Sequence, residues 1–262
     1  MKIFHSDSFY RAFSDLLQLQ RTIDAIYQKK GGKEKLSPAE ANSARLIIVG
    51  VLGEFERADL NRVLERAERL KHFGELRLDR NLLEDIRREL KELEMAAYAD
   101  LSKRTFSYLE DTAEPYYEKS ELFGPAVANR FPKAAYDIKE AGSCYSTGRH
   151  TACVFHLMRA LEHALRDLAR RLKVPFPSKF ELKTWDTLIK DMEDEIGKII
   201  LKPRTRQRAK DLEFYNSIAL QFRYFKDGWR NHVMHTRASY DEHQAKRILV
   251  HVEEFMHDLA TH

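Results

Sequence analysis

Apolar side chains recur along this chain at intervals of three and four, the spacing that aligns one face of an α-helix. From Phe9 to Gln28 the positions Phe9, Phe13, Leu16, Leu17, Ile23 and Ile26 fall near one face, with Asp7 or Ser8 placed to cap it. The run KKGGKEK, with Gly31 and Gly32 among lysines, breaks the pattern. It restarts at SPAE, where Ser37 suits the cap, Pro38 the first helical position and Glu40 the carboxylate of a capping box. This second helix is expected to reach about Lys71, and its middle, Leu46 to Leu52, is apolar nearly all round and so expected to be centrally buried. A third helix starts near Asp79, runs through LLEDIRRELKELEMAAYADL and extends to Tyr108 or beyond. Long charged helices that cross back on one another predict an N-terminal helical hairpin or bundle.

The segment DTAEPYYEKSELFGPAVANRFP carries Pro115, Gly124, Pro125 and Pro132 and is the best boundary, giving an N-terminal region 1–125 and a second region 126–262. Pro132 is expected to open the next helix and Gly148 to end it. In RHTACVFHLMRALEHALRDLARRL, Val154, Leu157, Leu161, Leu165, Leu168 and Leu172 form a core stripe, and Arg159, Glu162, His163 and Arg166 lie off it. Thr184 caps a shorter helix, TWDTLIKDMEDEIGKII. A helix from about Asp211 to about Thr236 sets Phe222, Phe225, Trp229 and Val233 inward. The last, Tyr240 to Leu259, turns in Ala245, Ile248, Leu249, Val252, Phe255 and Met256. No strand, repeat or low-complexity tract interrupts this, so the fold class is all-α.

Composition agrees with long helices: there are only 10 Gly and 7 Pro in 262 residues. Charge is uneven. Residues 1–125 hold 21 Lys and Arg against 23 Asp and Glu, and residues 126–262 hold 24 against 18, which points to an anionic partner for the second region. Cys144 and Cys153 read as two buried thiols. The longest apolar run, LIIVGVL, is far short of a membrane span. The N-terminus carries no signal-peptide pattern, so the expected setting is the cytoplasm, with no membrane partner.

The densest chemistry is WRNHVMH, Trp229 to His235. On a wheel of about 100° per residue, Arg230, Asn231 and His235 share the face away from the core stripe. Asn231 and His235 lie one turn apart, while Arg230 and His235 are about 140° apart and converge only if the arginine stem curls over or a second chain completes the site. The set fits RNA cleavage without metal or cofactor. Arginine offers a charged planar fork to a phosphate. Histidine titrates near neutrality and can take a proton from a ribose 2′-hydroxyl or give one to the leaving oxygen. Asparagine can donate to a phosphate oxygen. The blander alternative is a polar helix face. GKEKLSP lacks the order of a phosphate-binding loop, and there is no Gly-x-Ser-x-Gly elbow.

In its setting, late in an all-α unit and followed by one amphipathic helix, RNHVMH resembles the HEPN superfamily, whose mark is Arg, a polar residue, then His four to six positions beyond the Arg. Arg230, Asn231 and His235 match it. FPKAAYDIKEAGSCYSTGRHTACVFHLMRALEHAL and QFRYFKDGWRNHVMH also look like a group of uncharacterised bacterial proteins. The resemblance covers roughly 126–260. It implies a HEPN-like bundle after the N-terminal helices, a metal-independent endoribonuclease used as a toxin or antiviral-defence effector, and a homodimer with two motifs facing one cleft. The alternative it carries is a non-catalytic scaffold or binding module. A third reading is one half of a toxin–antitoxin pair whose partner is an antitoxin or nucleotidyltransferase.

Other residues join as candidates. Glu162 and Arg159 are one turn apart; Glu162 could orient Arg230 or His235, against a plain local ion pair. His232, three residues before His235, is a further support candidate; the pair also suits a shared metal, though no metal is required. KPRTRQRAK offers Lys202, Arg204, Arg206, Arg208 and Lys210 to an RNA backbone, against a solvated loop. No aromatic interleaves these charges, so no base-stacking platform is expected there.

Overall fold

Ser37 starts the second helix as its side chain dictates: its hydroxyl accepts from the Glu40 N–H at 3.4 Å, and the Glu40 carboxylate accepts from the Ser37 N–H at 2.7 Å. The computed structural model that shows this describes residues 6–31, 33–58, 60, 62, 63, 65, 82–104, 109–175, 183–201, 203–235 and 238–262. The described residues are all-α, with a single isolated bridge between Lys35 and Leu82 and no strand. The chain divides into two compact units, Met1–Ser107 and Tyr108–His262.

In the first unit, α1 (Ser6–Lys30) packs against both α2 (Pro38–Arg57) and α3 (Leu83–Leu101). Leu16, Leu19 and Ile23 meet Ile48, Val51, Leu52 and Phe55 from α2 and Ile86, Leu90 and Leu93 from α3. The middle of α2 is not buried all round, because α1 covers only one side of it: Leu46 is 64% and Val49 60% exposed. Leu17 likewise leaves the stripe at 38% exposure, and Leu19 replaces it. Helix α2 ends at Arg57 rather than near Lys71, and α3 ends at Leu101. The expected α3 start at Asp79 and end at Tyr108 fall outside the described residues.

The second unit takes in the Pro- and Gly-bearing segment read from sequence as a boundary. That segment forms a 3₁₀ turn at Glu114–Tyr116 and a short α4 (Gly124–Arg130). Helices α5 (Ala135–Ser146) and α6 (His150–Arg171) make a tight hairpin. Its turn is closed by Gly148 at φ 72°, with the Gly148 and Arg149 N–H groups bonding the Tyr145 and Cys144 carbonyls in a Schellman arrangement. Pro132 precedes α5 without opening it.

Helix α7 (Trp185–Ile200), capped by Thr184, pairs with α8 (Arg206–Phe225), and α10 (Glu242–Thr261) lies along α6. The predicted α6 stripe is buried, and so are the predicted inward positions of α10. Trp185, Phe222, Phe225 and Phe255 stack edge-on at centroid distances of 4.9–5.9 Å and form a rigid floor under the C-terminal end of α8. Cys144 and Cys153 are free and buried, and burial pushes the Cys153 thiol up to about 12. No helix among the described residues is long and apolar enough to cross a membrane.

Two measurements test these contacts. The backbone and side chain of Ser37 hold the Glu40 carboxyl down at about 2, from an ordinary 4.5. A depressed acid contributes stability above its unfolded value and loses it as pH falls towards the folded one. Glu40→Gln is therefore expected to flatten the pH dependence of unfolding between pH 4.5 and about 2, followed by urea titration; an unchanged slope there would contradict the cap. Separately, a Cβ on Gly142 would lie 2.4 Å from the Tyr116 carbonyl oxygen. Gly142→Ala is expected to destabilise the second unit by about 1–3 kcal/mol, read as a lowered Tm.

Candidate functional site

Helix α8 does not run unbroken into the Arg-Asn-x-x-x-His segment. At Lys226–Arg230 it widens into a π turn, in which the Asn231 N–H bonds the Lys226 carbonyl five residues back. Ordinary winding resumes in α9 (Asn231–Met234), and His235 stands just past its end at φ −108° and ψ 21°. A π turn holds one residue more than an α turn, so everything beyond it is rotated back by about 100° relative to an uninterrupted helix.

Two residues inside the π turn depart from the helical wheel. Trp229 is half-buried instead of core, with its ring 5.1 Å from Tyr224, 5.4 Å from Phe225 and 5.6 Å from His251. Arg230, expected on the outer face, is half-buried, and its guanidinium lies 6.0 Å from the centre of the buried Trp185 ring. Its Nη1 donates to Asn231 Oδ1 at a long 3.4 Å, and its Nε is enclosed with no hydrogen-bond partner in the protein. No carboxylate pairs with it among the described residues. The neighbouring cations are neutralised: Arg223 pairs with Glu193, and the inward-turned Lys226 with Asp186 and Asp227. A buried N–H without an acceptor costs about 1–3 kcal/mol. The arrangement is a positive fork set on an apolar wall with a donor to spare, and a planar oxyanion suits it.

The HEPN domain family matches residues 127–261, just over half of the chain, and spans this segment. The chain belongs to the HEPN family. Searches of the curated proteins and of the solved structures each return no significant match. HEPN domains in general include RNA-cleaving members.

Around the Arg-Asn-x-x-x-His segment, the support residues read from sequence are distributed differently. Glu162 pairs with Arg166 on its own helix and accepts the Trp185 indole N–H at 3.2 Å. It thus holds the ring beneath Arg230. Arg159 turns the other way, to Asp137 of α5, with Nε to Oδ1 at 2.8 Å. Asp137 is only 2% exposed and also takes His156 Nδ1 at 2.9 Å, with His163 Nε2 3.8 Å from its other oxygen. Burial holds the His163 imidazole below the ordinary histidine range, while Asp137 pulls the other way. The Asp137–His156 pairing joins residues far apart in sequence. A carboxylate within an otherwise apolar helix face was its only signal.

His232 is half-buried on α9, and His235 is exposed. No group of three or more His, Cys, Asp or Glu side chains among the described residues has metal-holding geometry. The basic stretch is not simply a loop. Thr205 caps α8 by accepting from the Arg208 N–H at 3.1 Å, which places Arg206, Arg208 and Lys210 on its first turns, after an exposed Arg204. Lys202 lies outside the described residues.

If the enclosed Nε is unsatisfied, removing the guanidinium while keeping the apolar stem should help the fold. Arg230→Met is expected to raise unfolding stability by about 1 kcal/mol, measured by urea denaturation. A variant less stable than the parent would show that the guanidinium is already satisfied.

Proposed function

We propose that this protein is a metal-independent endoribonuclease that acts as a homodimer on cytoplasmic RNA, of the kind used as a toxin or antiviral-defence effector. The observation that carries the reading is the half-buried Arg230 guanidinium, unpaired with any carboxylate among the described residues and standing on Trp185 within the Arg-Asn-x-x-x-His segment. Arg230 holds the scissile phosphate and Asn231, already in contact with it, supports the same oxygen set. His235 takes the proton from the 2′-hydroxyl or returns one to the leaving 5′-oxygen. The 2′-oxygen forms its bond to phosphorus as the bond to the 5′-oxygen breaks, leaving a 2′,3′-cyclic phosphate and a free 5′-hydroxyl. Glu162 positions Trp185, and His232 supports His235 from the preceding turn. Arg204, Arg206, Arg208 and Lys210, with Lys202, guide the backbone towards the site. The region 1–125 restrains or dimerises the nuclease, and an antitoxin or a nucleotidyltransferase is the kind of partner that would control it.

One observation favours a second reading, a non-catalytic HEPN binding module. The His235 ring is exposed on the single chain, whereas proton transfer benefits from a site closed to bulk water. In the nuclease reading a second copy supplies that closure.

The two readings separate on purified protein and bulk RNA with chelator present. Wild type is expected to cut and leave 2′,3′-cyclic ends, and His235→Ala to lower the rate by roughly 10²–10⁴-fold. Arg230→Ala should lower it at least as far. Equal, negligible cutting by wild type and both variants would leave the binding module.

A further inference from the structure

The proposed chemistry leaves one group of side chains unused. On the outer face of α10, His243, Lys246, Arg247, Val250, His251 and Glu254 line a groove of about 350 Å³. His251 joins this groove to α8. Its ring lies nearly parallel to that of Tyr224, at 22° with centroids 5.8 Å apart. Trp229 stands across both, at 82° to His251 and 75° to Tyr224. Phe225, fully buried, backs His251 at 5.3 Å. The three rings make a corner fixed from below by the aromatic core, yet Tyr224 remains 53% exposed.

The groove holds both signs of charge, with Arg247 as its exposed cation. Lys246 and Arg247 share the lining with His243, His251 and the carboxylate of Glu254. Lys246 is engaged with the Tyr116 hydroxyl and lies 3.9 Å from the centre of the Tyr116 ring, so it shapes the wall. Arg247 is exposed and at the rim. A flat π face beside a guanidinium suits an unstacked base with its phosphate, because every base offers a stackable face and every nucleotide a negative charge. A base in a duplex has both faces covered, which restricts the ligand to a single strand.

We infer that the Tyr224–Trp229–His251 corner is a platform for single-stranded RNA, the base stacking on Tyr224 and Arg247 pairing with the adjoining phosphate. This rests on the nuclease reading for the choice of RNA and adds to it a substrate class, unpaired strands. It supplies the aromatic surface that the basic stretch at the start of α8 lacks.

The test uses the full chain and a fluorescein-labelled 2′-O-methyl oligonucleotide, which has no attacking hydroxyl, so binding is read apart from cleavage. By anisotropy, Tyr224→Ala is expected to weaken binding about tenfold, in line with the loss of one stacking contact. Tyr224→Phe, which keeps the ring, should bind as wild type does. Arg247→Gln should weaken binding and reduce its salt dependence. An oligonucleotide with abasic sites should bind wild type and Tyr224→Ala alike. The platform is overturned if wild type does not bind the oligonucleotide, or if Tyr224→Ala binds it unchanged. It is equally overturned if Tyr224→Ala converts a dimer to monomer by sedimentation with affinity intact, which would make the corner a contact between copies. Cutting of ordinary RNA without Tyr224-dependent binding removes the platform and keeps the nuclease. Tyr224-dependent binding without cutting does the reverse.

Discussion

A guanidinium held against an indole, with no counter-charge among the described residues, is the constraint that sets the candidate site apart. Arg230 could be neutralised cheaply, since Glu162 is bonded to the very Trp185 that carries it and Glu193 and Asp186 serve its neighbours. Each carboxylate is instead spent on another cation. The enclosed Nε is then a standing cost of about 1–3 kcal/mol, borne where the guanidinium meets the buried Trp185 ring. Such local misfit within a well-packed frame is characteristic of binding and reacting groups.

The π turn is how the chain brings this about. It exchanges two neighbours: Trp229 swings partly out of the core and Arg230 partly in. One extra residue in a single turn therefore creates both the unpaired fork and the half-open aromatic corner beside α10. The two features share one backbone irregularity even though their side chains face different helices.

Most of the helical frame could be read from the sequence because its determinants are local. Ser37 and Thr184 cap helices through atoms two or three residues away, and the α6 and α10 stripes follow directly from apolar spacing. The candidate site residues stood out as a spacing, and the HEPN domain match spans their positions. What escaped was set by hydrogen-bond register or by distant partners. The π turn uses residues that would serve equally in an α turn. Leu46 and Val49 read as core until the neighbour that would bury them proves to lie on one side only. Arg159 was placed beside Glu162 by helix geometry, but Asp137, on another helix, offers a drier and therefore stronger attraction.

Gly142 carries a lesson for anyone excising the second unit. The polypeptide around Tyr116 lies directly on that glycine, although the family resemblance starts only at residue 127. A gene fragment trimmed to the recognisable part would strip away this strap and leave a trough on α5 open to water. The compact second unit begins upstream of the family match, at Tyr108.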